Sequence, residues 1–253
     1  MQIALNMAWV EAAMLAGVRI VAFLIIAPPF SFGAIPLRIK GMLAVALAIV
    51  VAPRATDGYT ASLETGPFLL ALVSQLIIGA LLGFFVFLVF SAVQSAGNLI
   101  DLFGGFQIAQ AFDPQMLLSG AQFTRLMQMI ALGLLFVSGG YELILGGLFR
   151  TFDAIPVDGM INMVDPGNML ITGLSQMFLA SVQIAGPLVI VLFLADVGLG
   201  LLTRVAPALN AFQLGFPLKI LITLLVGGVI FLALPRLTGA LVEDAMTMVG
   251  GVS

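Results

Sequence analysis

The chain holds twelve Asp and Glu, nine Lys and Arg, and neither Cys nor His. That removes imidazole bases, thiolate nucleophiles, disulfides, haem–His ligation and His- or Cys-based metal sites together. No catalytic, cofactor-binding or metal site is expected, and no paired Asp motif lies in an apolar run. What remains is a small set of charges in apolar surroundings. Arg19 sits near the middle of the apolar run 8–27 and Glu11 near its start, while Asp101, Glu142, Asp196 and Arg204 border or interrupt later runs. Two kinds of chemistry suit them. Asp101, Glu142 and Asp196 could relay protons through a membrane. Alternatively, Arg19, Asp101, Asp196 and Arg204 are buried and paired, since removing one member of a buried pair costs ~3–5 kcal/mol. Arg19 has three open readings: contact with a neighbouring subunit, a partner within its own chain, or snorkelling to the interface.

The elements that hold these charges are apolar. Of 253 residues, 62% are hydrophobic and 8% charged, against about 25% charged in a soluble domain. The chain reads as an all-α, polytopic membrane protein, residues 1–253 forming one domain. A net charge of −3 without a basic patch excludes nucleic acid as a partner. The N-terminus lacks the basic flank and small-residue cleavage site of a secretory signal, so Met1 is read as the start of the mature protein.

About six apolar segments are expected, arranged as long kinked helical hairpins. Residues 28–36 hold Pro28, Pro29 and Pro36, so 27–40 is expected to turn between helices, as is 205–219 with Pro207 and Pro217. The stretch 41–52 is too short to span unless it takes in Arg38 and Lys40. Residues 68–102 read as one helix of about 52 Å, longer than a ~30 Å hydrocarbon core. Its polar residues Ser91, Gln94, Ser95, Asn98 and Asp101 share one face. Gly79 and Gly83 form a GxxxG face for packing, either within the chain or on a partner helix. Gly139-Gly140 predicts a kink or close packing in 126–149, and Gly186-Pro187 a kink in 171–195. Residues 150–168, with Asp153, Asp158 and Asp165, are expected to be a solvent-exposed loop, and the tail from Pro235 to be loose.

After the long helix comes a segment with little charge, 104–118. Phe106 and Phe112 are large enough to obstruct a narrow passage, and Ile108 and Met116 add apolar filling around Gln107. Gly104 and Gly105 offer backbone freedom for movement. Asp113 and Pro114 suit the N-cap and first position of a following helix. The other reading packs these phenylalanines in an ordinary helix–loop core.

Four stretches, in order, then point to a family. They are Arg19, Ala27-Pro28-Pro29-Phe30-Ser31-Phe32-Gly33, Pro36 and Arg38; Gly79, Gly83 and Ala96-Gly97-Asn98-Leu99-Ile100-Asp101; Phe112-Asp113-Pro114; and Asp196, Leu199-Gly200-Leu201, Arg204, Ala206-Pro207, Asn210-Ala211-Phe212, Gly215 and Pro217-Leu218-Lys219. Over nearly its whole length the chain resembles the FliR family of flagellar type III export-gate proteins, and the homologous SctT family of injectisomes. It departs from the family pattern at Tyr141, where a His often follows Gly-Gly, and at Ala208, where a Gln often follows the proline. The resemblance implies a gate built with FliP-like and FliQ-like subunits, associated with FlhB-like and FlhA-like export proteins. That gate would lie in the bacterial inner membrane within the flagellar basal body, and unfolded flagellar proteins would cross it. It also implies that the first part of the chain is FliP-like, the last part FliQ-like, and that 104–118 plugs the channel. The competing reading is a stand-alone secondary transporter using the intramembrane carboxylates.

Overall fold

A computed structural model describes residues 7–33, 35–56, 59, 65–106, 122–159, 164–206 and 211–251. Among them there are seven α-helices and no strand. These are α1 (Met7–Ile26), α2 (Leu37–Ala55), α3 (Thr65–Phe103), α4 (Gln122–Val137), α5 (Gly140–Ala154), α6 (Val164–Val205) and α7 (Ala211–Gly251). The all-helical, apolar reading of the sequence holds. Four helical stretches have the length and apolarity to cross a bilayer: Met7–Ile26, Thr65–Phe103, Gly167–Val205 and Leu214–Leu232. The broken pair α4 and α5 gives a fifth if taken as one span. The six apolar segments expected are thus not confirmed by the four or five stretches of membrane-spanning length among the described residues. The stretch after Pro36 does take in Arg38 and Lys40, but α2 then carries three cations in 19 residues, Arg54 being the third.

Helix ends explain the other differences. α1 stops at Ile26 before Pro28-Pro29, and Pro36 stands as the N-cap of α2, so the first proline turn is where the sequence puts it. The second is shorter than expected: α6 ends at Val205 and α7 begins at Ala211, leaving Pro217 well inside a helix. Pro187 and Pro235 are likewise internal, and α7 runs on to Gly251 where a loose tail was expected. A proline removes one backbone bond, but apolar flanks on both sides leave the neighbouring polar groups no partner except the helix itself. The acidic loop is also shorter, because α5 continues to Ala154 and α6 starts at Val164. Asp153 and Asp158 are exposed there, whereas Ile155 and Val157 are buried. At the sharp break between α4 and α5, Gly139 takes a φ of 71°, a conformation that an L side chain would strain.

Two compact units result. The first comprises Met1–Val89, Gly139–Gly173 and Leu241–Ser253. In it α1 and α2 pair through small residues: Ala44, Ala48 and Ala52 repeat every four positions and are buried, with Gly17 set against Ala48. The second unit comprises Phe90–Ser138 and Leu174–Ala240. Its core includes Ala92, Val93, Ala96 and Ile100 from α3, Phe123 and Met127 from α4, Leu188 and Leu192 from α6, and Ile230 and Leu234 from α7. The 39 residues of α3 extend about 58 Å, and the 42 of α6 about 63 Å.

Candidate functional site

Two buried polar knots organise the two units. In the first, Arg19 is wholly buried, yet no carboxylate among the described residues pairs with it. Its Nε donates to Gln75 Oε1 at 2.6 Å, Nη1 to the Thr151 carbonyl at 3.0 Å, and Nη2 to the Ile155 carbonyl at 2.8 Å. Nη1 also lies 3.3 Å from Thr151 Oγ1, whose own proton goes to the Leu148 carbonyl. The guanidinium stacks over the Phe152 ring at 4.2 Å, a favourable face for a cation. Gln75 is fixed in turn, its Nε2 donating to the Val157 carbonyl at 3.0 Å. The carbonyls belong to the end of α5 and the residue just past it, where the helix dipole is negative; the Thr151 carbonyl also accepts the Ile155 amide at 2.9 Å. The positive charge is thus stabilised by a helix C-terminus and a side-chain amide. The expectation of a charged partner is corrected for Arg19, and its partners lie within its own chain.

The face of α1 that carries Arg19 presses on the GxxxG glycines. A Cβ on Gly79 would overlap the Arg19 carbonyl and approach Ala22 Cβ to 2.9 Å, and one on Gly83 would lie 3.0 Å from the Phe23 carbonyl. These glycines therefore serve packing within the chain.

In the second knot Asp101, also wholly buried, takes the amide protons of Phe123 at 3.0 Å and Thr124 at 2.8 Å. Thr124 Oγ1 donates to the same carboxylate at 2.6 Å and lies 3.0 Å from Asn98 Oδ1. This is N-capping of α4 by a side chain from α3, with the carboxylate at the positive end of the α4 dipole. Gly97 permits the approach, since a Cβ there would lie 2.6 Å from Thr124 Cα. Higher on the same polar face, Ser95 Oγ is 3.9 Å from Met177 Sδ.

Asp196 and Arg204 differ from the first two. In the single chain Asp196 is 44% exposed and forms an ion pair with Lys219, and Arg204 is exposed. Of the 104–118 segment, Gly104, Gly105 and Phe106 are described. Both glycines are buried against α7, near Thr223 Oγ1 and the Phe216 ring respectively, and Gly105 has a φ of 80°. Their role here is close approach, which differs from the loose hinge expected of them. Gln107, Ile108, Phe112, Asp113, Pro114 and Met116 lie outside the described residues. Sequence reasoning gave no role in the site to Gln75, Thr124 or Thr151, and quoted Gly97 only within the family pattern.

Residues 10–245 match the family described as bacterial export proteins, family 1. The flagellar biosynthetic protein FliR of Escherichia coli (strain K12) is 33% identical over 202 residues, covering 80% of this chain and 77% of that protein. FliR of Bacillus subtilis (strain 168) is 33% identical over 219 residues, covering 84% and 83%. The Yop proteins translocation protein T of Yersinia pestis is 29% identical over 175 residues, covering 68% and 67%. By this match and these identities, the chain belongs to the FliR family of bacterial export proteins, components of the type III secretion export apparatus.

Proposed function

We propose that this chain is a structural and gating subunit of the flagellar type III export channel, without catalysis of its own. It forms the gate with FliP-like and FliQ-like subunits, in contact with FlhB-like and FlhA-like export proteins, in the inner membrane at the flagellar basal body. Unfolded flagellar proteins pass through that gate. The observation that carries the reading is the family match over 10–245 on a chain whose α6, about 63 Å long, outruns a bilayer. α6 also presents Phe178, Leu179, Val182, Ile190, Phe193 and Leu194 outward. Apolar faces of that length fit neighbouring helices of an assembly better than lipid alone. The transporter reading is weaker, since Asp101 is engaged in capping and Asp196 in an ion pair.

The test is purification of the tagged chain in mild detergent with mass spectrometry of what accompanies it. FliP-like and FliQ-like subunits are expected in fixed ratio. A chain that is stable alone and binds a small solute would overturn the reading.

In this function the 104–118 segment seals the resting channel with Phe106, Phe112, Ile108 and Met116, because a narrow apolar constriction dewets. Deleting residues 107–111 should leave the complex intact and the membrane leaky to ions, measured by conductance or small-solute uptake. A complex that fails to assemble assigns these residues to the core, and one that assembles and stays tight removes the seal.

A further inference from the structure

Ordinary N-caps are local: the residue before the helix supplies the acceptor. α4 is capped from α3 instead, by Asp101. The same junction is anchored a second time on α7. A Cβ on Gly104 would lie 2.9 Å from Thr223 Oγ1, and one on Gly105 3.1 Å from the Phe216 ring. Phe123, whose amide Asp101 holds, stacks on Phe231 with centroids 5.3 Å apart, and Gly227 lies beneath its ring. Phe216, Thr223, Gly227 and Phe231 recur at steps of seven, four and four, one stripe along α7. The residues flanking 107–121 on both sides are therefore held to each other and to one stripe. A local Asp or Ser would cap α4 equally well, but would make no link to α3.

We propose that Asp101 is a positioning residue that acts as a tether. It holds the start of α4 to the end of α3, and this junction stays closed while a protein passes. The inference rests on the channel reading above.

Two experiments in the assembled complex test it. The first uses Asn98→Cys with Thr124→Cys in a chain that has no native Cys. The two side chains are in contact, Thr124 Oγ1 lying 3.0 Å from Asn98 Oδ1, and formation of the disulfide is verified by the loss of free thiols before export is read. Export by the oxidised form is expected to equal that by the reduced form of the same variant. Arrest on oxidation with recovery on reduction would show that the junction must open, and would overturn the proposal. The second compares Asp101→Ala with Asp101→Ala plus Ala121→Asp. Asp101→Ala is expected to lower complex recovery about tenfold, as two buried amide donors lose their acceptor. The local cap in the double variant should restore recovery while small-solute leakage stays high. If it restores both recovery and tightness, Asp101 is a cap alone and the tether is refuted. Failure of the channel reading would show separately, as wild-type chain that purifies without partner subunits.

Discussion

Arg19→Ala should cost the chain about 3–5 kcal/mol, since two buried acceptors lose their donor at about 1–3 kcal/mol each and the contact of the cation with the Phe152 ring is lost. The guanidinium is wholly buried and gives three short hydrogen bonds, to Gln75 Oε1 and the Thr151 and Ile155 carbonyls. Hydrogen bonds to a charged group contribute about 1.5–3 kcal/mol each, and a buried acceptor left without a donor costs about 1–3 kcal/mol. Truncation strands Gln75 Oε1 and the Ile155 carbonyl, leaves the Thr151 carbonyl only its bond from the Ile155 amide, opens a cavity beside Phe152, and removes the cation at the end of α5. At 1.4 kcal/mol per decade, the folded-to-unfolded ratio falls at least a hundredfold, as a rough lower bound. The expected readout is loss of protease resistance in membranes and near-total loss of complex recovery. Arg19→Lys should fall between, because one ammonium keeps the charge but lacks the fork that reaches three acceptors. Wild-type recovery and resistance in Arg19→Ala would reduce this knot to ornament.

A graded series at the glycines should show the second large effect. At Gly79 an added methyl meets the Arg19 carbonyl, which has no rotamer to escape into, so α1 must shift. Such overpacking typically costs about 1–3 kcal/mol, and the shift also displaces the Arg19 backbone. Gly79→Leu is accordingly expected to abolish folding, and Gly79→Ala to lower stability measurably. Gly83→Ala meets the Phe23 carbonyl at 3.0 Å and Ile26 Cβ at 3.1 Å, contacts eased by a few tenths of an ångström. There the ~1 kcal/mol gained by replacing a helical glycine should nearly offset the strain. Gly146→Ala, with nothing within 4 Å of the added carbon, should be neutral or mildly stabilising. Thermal unfolding of the four variants in one detergent gives the order, and equal losses at Gly79 and Gly146 would contradict it.

The sequence conveyed the helices better than their ends. The polar face of α3 and the first proline turn were legible because each rests on local rules, helical period and the missing proline N–H. Pro217 and Pro235 misled because the same local rule was outweighed by apolar flanks on both sides. Arg19 was legible as a buried charge, but its partners were not. They are main-chain carbonyls of Thr151 and Ile155, more than 130 positions away, and a carbonyl has no letter in the sequence. Asp101 was legible on a helix face, while its capping of α4 needed the tertiary fold. Asp196 and Arg204 looked equivalent to these two by composition, yet both are exposed in the single chain.

The Arg19 knot also bears on genetics. Most of what the guanidinium holds is backbone, and backbone cannot be exchanged by mutation. A charge swap, the usual way to demonstrate a salt bridge by reciprocal reversal, has no second site to act on. Suppressors of an Arg19 lesion should therefore not arise as a reversed charge elsewhere in the first unit. They should appear as substitutions that end α5 differently or supply a new donor from Gln75, whose side chain already bridges Arg19 and the Val157 carbonyl. A selection for restored motility would then return changes clustered at 75 and around 148–157, with acidic and basic replacements rare among them.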